Sequence, residues 1–307
     1  MTKAFDDKVV LVTGASRGIG KATALAFASQ GASLVLAARS ARRLDQVRND
    51  IHDRGGEAIS VPTDITSTEE VAALVDAAMT RYGRIDVLVN NAGIGHVGAA
   101  DDPRFGTDLH DTLQASLFGA IRLTQQVLPI LRRQQSGSIV NMSSVMGRKA
   151  FARFGGYAIV MHGVSAFTDA LRQELAGTNI AVSVIHPALT ATDLLREVDE
   201  TQMPPPFRHM TPLSAEEVGE AVVKAVRRGT PRVILPRRAG LLLLGEAVSP
   251  RLGDLIASAL TRRPLARLMG FSRGRTYHQT LAARTDTTPP DTTPRRSGHQ
   301  LPTTSTR

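Results

Sequence analysis

An aliphatic run, Val9-Val10-Leu11-Val12, delivers the chain into Thr13-Gly14-Ala15-Ser16-Arg17-Gly18-Ile19-Gly20 and then into the helix-forming Lys21-Ala22-Thr23-Ala24-Leu25. No other feature constrains the fold as strongly. Glycines between a strand and a helix permit a tight turn, close approach of backbone to an anion, and close packing of helix on strand. The helix start adds free amide donors and a partial positive charge, which suit a pyrophosphate.

The same strand–helix rhythm continues to about residue 236. Strands are expected over 8–14, 33–39, 58–62, 85–90, 138–142, 181–186 and 232–235, each near-continuously apolar as befits strands buried on both faces. Ser67 with Glu70, and Ser214 with Glu217, read as capping boxes opening helices 68–82 and 215–227. Longer helices over 107–132 and 155–176 are expected on opposite sides of the sheet. The predicted architecture is α/β: a Rossmann-type doubly wound parallel sheet of about seven strands in one domain, residues 1–236, with a helical C-terminal extension. The segment at about 188–213 reads as a substrate-covering loop, with Met203-Pro204-Pro205-Pro206-Phe207 inside it.

Residues 237–280 form a different region, a basic amphipathic helical extension. Leu252, Leu255, Ile256, Ala259 and Leu260 fall at helical spacing on one face, with Arg262, Arg263, Arg267, Arg273 and Arg275 around or after it. From 281 to 307 the chain is Thr/Pro-rich and reads as disordered. The overall net charge of +9 conceals an asymmetry: residues 227–307 hold 15 arginines against four acids, +11, so the rest is slightly acidic. An apolar face ringed by arginines suits an anionic membrane surface, and packing on the domain or on a partner is the other reading. Nucleic acid is not expected, because the tail has few aromatics for stacking. Without cysteine, disulfides and thiolate metal sites are excluded, and no metal is expected. The first residues show no signal-like apolar run, and no stretch approaches the ~20 apolar residues of a membrane span. A cytoplasmic protein is the expectation, with peripheral contact at a membrane as the option that the basic extension leaves open.

Further segments give the glycine motif a context. Asn90-Asn91-Ala92-Gly93 follows the fourth strand, Asp64 the third, and Pro187-Ala188-Leu189-Thr190-Ala191-Thr192 the sixth. Ser144 precedes Tyr157 by thirteen residues. Together these resemble the short-chain dehydrogenase/reductase family over about residues 5–236. The resemblance implies a nicotinamide dinucleotide held by Thr13, Gly14, Ser16, Arg17, Gly18, Ile19 and Gly20. It places Asp64 at the adenine and Asn91, Ala92 and Gly93 beside the ribose. Tyr157, Pro187 and Thr192 fall near the nicotinamide. It also implies a homo-oligomer, dimer or tetramer. NAD-binding relatives carry an acid at the end of the second strand; here Arg39 stands there, followed by Arg42 and Arg43, and Arg17 lies in the glycine loop. Cationic forks in place of a carboxylate favour NADP(H).

The catalytic pattern is incomplete. In the family a serine orients the carbonyl and a tyrosine gives or takes the proton, which makes Ser144 and Tyr157 the catalytic candidates. The family lysine, four residues beyond the tyrosine, is here Met161, and the relay asparagine position in Gln114-Ala115-Ser116-Leu117-Phe118-Gly119 is Ser116. Bringing a tyrosine from about 10 to neutrality takes ~3 pKa units, about 4 kcal/mol, and a neighbouring ammonium is the main means. A thioether supplies none of it. His162 points about a quarter-turn away and reads as packing or surface. Arg148, Lys149 and Arg153 lie in the intervening loop and read as solvated, with reach into the pocket as the alternative. His96 and His186 border the cleft as substrate contacts or structural histidines. Val145, Met146, Phe151 and Phe154 read as an apolar wall or as core.

Two functions fit. One is an NADP(H)-dependent oxidoreductase interconverting a hydrophobic alcohol and carbonyl with an impaired relay. The other is a catalytically silent NADP(H)-binding protein acting as sensor, scaffold or hetero-oligomer partner.

Overall fold

The computed structural model describes residues 3–192, 207, 210–268 and 271–272. Seven parallel strands form one sheet: β1 (Val9–Thr13), β2 (Ser33–Ala38), β3 (Glu57–Pro62), β4 (Val87–Asn90), β5 (Gly137–Met142), β6 (Ile180–Pro187) and β7 (Arg232–Leu235). Their order is β3-β2-β1-β4-β5-β6-β7. Alternate side chains of β1 feed two cores, because successive residues of a strand point to opposite faces. Val10 and Val12 join Phe27, Leu34 and Leu36 on one face. Val9 and Leu11 join Val35, Leu88 and Ile139 on the other. Each fully buried Leu or Val contributes about 1.5–3 kcal/mol of transfer energy.

Helices α1 (Gly18–Ser29) and α2 (Ala41–His52) cover the first face. The second face carries α3 (Thr68–Tyr82) and, beyond α4 (Phe105–Thr112), the helices α5 (Gly119–Gln134) and α6 (Gly155–Glu174). Helix α7 (Ala215–Arg228) returns to the first face, where a Cβ on Gly219 would sit 2.9 Å from the backbone of α1 at Ala22 and Thr23. Only glycine permits that approach.

Three expectations need correction. The helix over 107–132 is not continuous: a π-helical segment, Leu113–Phe118, separates α4 from α5. Helices α5 and α6 share one face rather than opposing each other, as Leu123 and Val127 of α5 and Leu171 of α6 enter the same core. Strands β4, β5 and β6 advance across the sheet in one direction, so right-handed crossovers put both connections on the same side. Finally, Ser67 caps α3 by accepting from Glu70 N at 3.1 Å, but the Glu70 carboxylate accepts from Asp64 N at 2.7 Å instead of closing a box. The box at Ser214 and Glu217 is complete.

Beyond β7 come α8 (Ala239–Val248), α9 (Pro250–Ala259) and α10 (Arg263–Leu268). They pack back on the domain: Ala239, Ala257, Leu260 and Ala266 share a cluster with Val145, Met146, Phe154 and Ala158. The apolar stripe expected on α9 is divided. Gly253, Ala257 and Leu260 face inward, whereas Leu252 and Leu255 are exposed. Among the described residues no helix is long and apolar enough to cross a membrane. The disordered tail expected at 281–307 and most of the loop at 188–213 lie outside the described residues.

Candidate active site

Strand order reverses between β1 and β4, and the crevice beyond their carboxyl ends is where open α/β sheets bind ligands. Thr13 stitches its two lips together. Its Oγ1 accepts from Asn91 N at 3.0 Å and Ala92 N at 2.9 Å, while Asn91 Nδ2 donates to Thr13 O at 2.9 Å. Below, Asn90 Nδ2 donates to Asn141 Oδ1 at 2.8 Å, and Asn141 Nδ2 donates to Thr168 Oγ1 at 2.9 Å, a buried polar ladder tying β4, β5 and α6. The glycine loop fits a dinucleotide phosphate. Gly14 and Gly18 take φ of 65° and 54°, and a Cβ on Gly20 would overlap Gly14 O. No side chain caps the start of α1, so its amides face the crevice uncapped. Thr192 closes the cradle, its methyl 3.2 Å from where a Gly18 Cβ would stand.

A cavity of about 170 Å³ opens from this loop. Ile19, Asn91, Ala92, Gly93, Pro187 and Thr192 are in its lining, together with Ser116, Ser144, Tyr157 and Met161. Ser16, Arg17, Arg39 and Asp64 are not in this lining. Arg17 and Arg39 are exposed, with Arg39 immediately after β2, and Arg17 has partners elsewhere. Asp64 Oδ1 accepts from Thr66 N at 2.9 Å and Thr66 Oγ1 at 2.8 Å, which fixes the turn after β3. Of the two arginines after Arg39, Arg42 is exposed and Arg43 is buried.

Ser144 closes β5 as the cap of a 3-10 turn, Val145–Gly147, accepting from Met146 N at 3.2 Å and donating to Pro187 O at 3.3 Å. Tyr157 occupies the first turn of α6 and lines the same cavity as Ser144. Burial pushes its phenol up to about 12, and the Ser144 side chain only partly opposes that. Met161, one turn further, is buried against Val160 and Val164 with Leu113 and Leu117. Its thioether lies where no charge reaches the phenol from that side.

Ser116 sits inside the π-helical segment, and this explains the break. Its Oγ accepts from Ile94 N at 3.1 Å and donates to Ile94 O at 3.2 Å, so one hydroxyl satisfies both backbone groups of the strand-end loop. A Cβ on Gly93 would stand 2.9 Å from Ser116 Oγ, and one on Gly95 would stand 2.8 Å from the Tyr157 ring. Gly95 therefore sets how closely that loop approaches the phenol. Nothing in the one-dimensional pattern points to Gly95 or to the π turn.

A short chain dehydrogenase model matches residues 8–203, well over half of the chain. The chain belongs to the short-chain dehydrogenase family. Members are NAD(P)-dependent oxidoreductases. The protein named ketoacyl reductase HetN in Nostoc sp. is 37% identical over 228 residues, covering 74% of this chain and 78% of that protein. A 3-oxoacyl-[acyl-carrier-protein] reductase of Synechocystis sp. is 35% identical, covering 73% and 89%. Among solved structures, a short-chain dehydrogenase/reductase from Burkholderia phymatum in complex with NAD superposes with a TM-score of 0.72 at 26% identity, covering 81% and 96%.

Within this short-chain dehydrogenase, the other candidate cations are engaged or turned away. Lys149 is buried, not solvated as expected, and its ammonium donates to Glu246 at 2.6 Å and Asp254 at 2.8 Å. Burial pulls its pKa down, but these two carboxylates outweigh it and hold the ammonium above its ordinary value. His162 is exposed and bonds Ala158 O at 2.8 Å. Arg148 and Arg153 are exposed. His186 is fully buried outside the cavity lining, with Nδ1 on Ser144 O at 2.9 Å; burial lowers it to about 4, so it is a neutral support of the Ser144 backbone. His96 does line the cavity, held by Thr112 Oγ1 at 3.2 Å. Of the expected apolar wall, Val145, Met146 and Phe154 line the cavity, and Phe151 stacks behind on Phe207, their ring centroids 4.7 Å apart.

Proposed function

We propose that this protein is an NADP(H)-dependent reductase of a hydrophobic carbonyl compound, with Ser144 orienting the carbonyl and Tyr157 protonating its oxygen. One observation carries the reading: the Ser144 and Tyr157 hydroxyls line one mainly apolar cavity that meets the glycine loop at Ile19. A reduced nicotinamide held at the glycine loop would supply the hydride. The Tyr157 O–H supplies the proton to the developing alkoxide, and Ser144 holds that oxygen in place. A phenol near 12 stays protonated at any physiological pH, so the donor is always loaded. Oxidation asks for the phenolate, and neither Met161 nor Ser116 stabilises it. Reduction is thus the favoured direction. The relatives named as ketoacyl and 3-oxoacyl reductases support a carbonyl on an acyl-like chain.

For the cofactor, Arg39 at the end of β2 and Arg17 in the glycine loop support NADP(H), as fork-shaped donors for a 2′-phosphate. Phe118 and Ile159 are 43% and 52% exposed on the π segment and α6, which supports a homo-oligomer built on that face. The arginine-rich extension supports a peripheral membrane contact of a protein otherwise expected in the cytoplasm.

The second reading is a nucleotide-binding protein that has lost turnover and acts as sensor, scaffold or silent partner. Met161 and the raised Tyr157 favour it. Turnover of a panel of apolar ketones with NADPH, wild type beside Met161→Lys, separates the two. Wild-type reduction at rates comparable to the lysine variant supports the enzyme. A silent wild type that the lysine awakens supports the second reading.

A further inference from the structure

Seven large apolar side chains are more than a third exposed among the described residues, and five of them lie between Leu244 and Leu268. Leu244 and Val248, 62% and 72% exposed, stand one turn apart on α8. Leu252 and Leu255, 39% and 66% exposed, do so on α9, and Leu268 at the end of α10 is 83% exposed. These helices are not loosely attached. A Cβ on Gly245 would overlap Ile256, and one on Gly253 would overlap Glu246, so α8 and α9 close into a tight hairpin. Its inner side, Ala257 and Leu260, is buried in the domain. The outer apolar side has no cover among the described residues.

Positive charge predominates around that side. Residues 237–272 contain six arginines and two carboxylates, Glu246 and Asp254. Both carboxylates are bound by Lys149, at 2.6 and 2.8 Å. Arg251, Arg262 and Arg267 are exposed and have no ion-pair partner among the described residues. Arg251 lies one turn before Leu255 on the same face of α9.

We infer that the outer face of the α8–α9 hairpin, continued by Leu268, seats on an anionic lipid surface. Leu244, Val248, Leu255 and Leu268 enter the acyl boundary, and Arg251, Arg262 and Arg267 meet the headgroup phosphates. The inference rests on the reading of the extension as a membrane contact, and it names the lipid class and the contacting side chains. A second copy of this chain fits less well, since a two-fold pairing would set the arginine excess of one copy against that of the other. Nucleic acid fits less well too, since among the described residues no exposed aromatic lies on this face for stacking. The absence of a membrane-spanning helix among the described residues limits the contact to the interface.

The test is co-sedimentation of the full chain with phosphatidylcholine vesicles, alone or doped with phosphatidylglycerol. The wild type is expected to bind the doped vesicles at least about tenfold more strongly, as several interfacial arginines require. Leu244→Asp/Leu255→Asp is expected to lose binding to both. Arg251→Gln/Arg262→Gln is expected to keep weak binding and lose the preference for phosphatidylglycerol. Leu244→Ala/Leu255→Ala gives a milder check on folding, and NADPH fluorescence on every variant reports the nucleotide site separately. The inference is overturned if the wild type stays in the supernatant, or if the leucine variants bind as the wild type does. It is equally overturned if the leucine substitutions change the oligomeric state while vesicles are ignored. NADPH binding or turnover can fail with vesicle binding intact, so the two proposals fall separately.

Discussion

Tyr157 and Met161 stand one helical turn apart, and the pair determines how proton supply depends on pH. With the phenol near 12, the protonated donor is constant across the working range, so the reduction rate is expected to be flat from about pH 6 to 9. The oxidation rate needs phenolate and is expected to climb about tenfold per pH unit over the same range. Met161→Lys adds a charge beside the phenol, so the oxidative limb should shift to lower pH; rate profiles in both directions check this. Cofactor choice is also a residue-scale question. Arg39→Asp is expected to reverse a preference for NADPH over NADH by about two orders of magnitude, read as the ratio of kcat/KM values. The places of Ser144, Tyr157 and Met161 in the fold were legible in the sequence because the first follows a strand tip and the others lie in the opening turns of a helix. Lys149 was not. Its partners lie 97 and 105 residues away in the chain, and no local pattern announces an ion pair closed at that distance.

At the scale of elements, the strands could be read to within about two residues because parallel strands buried on both faces are continuous apolar runs. The helices over 68–82 and 215–227 were legible through their caps. The π-helical segment was not, since a single wider turn leaves the apolar spacing on both sides almost intact. Nor was the shared face of α5 and α6, which follows from strand order and not from either helix. The extension was readable as amphipathic, with docking on the domain one of two open readings, because its apolar face is wider than the domain covers. Docking depends on Lys149: Lys149→Met is expected to loosen α8 and α9 and to cost about 1–3 kcal/mol, measured by denaturant unfolding. The carboxylates left behind are partly exposed and can hydrate, which keeps the cost at that modest level. Lys149 has a raised folded pKa, so its contribution is complete below the ordinary lysine range and lost as pH rises through the folded value. Wild-type and variant stability should therefore converge in strong alkali.

For the whole molecule, Phe118 and Ile159 mark an apolar surface on the side opposite α1 and α2, distinct from the hairpin of α8 and α9. If the proposed oligomer is built on this face, Phe118→Glu/Ile159→Glu is expected to yield monomer by light scattering, with vesicle binding unaffected. The crevice has a further consequence, for folding. Thr13 joins Asn91 and Ala92 across 78 and 79 residues of chain, and Asp86 accepts from Val9 N across 77. Contacts this distant in sequence form late, after the loop-closure entropy of the intervening β2 and β3 units has been overcome. The nucleotide cradle therefore cannot precede the sheet, and a nascent chain gains affinity for the dinucleotide only once β4 has docked beside β1. Ligand capture becomes a marker that the β1–β4 seam has closed, and saturating nucleotide should slow unfolding by holding that seam shut.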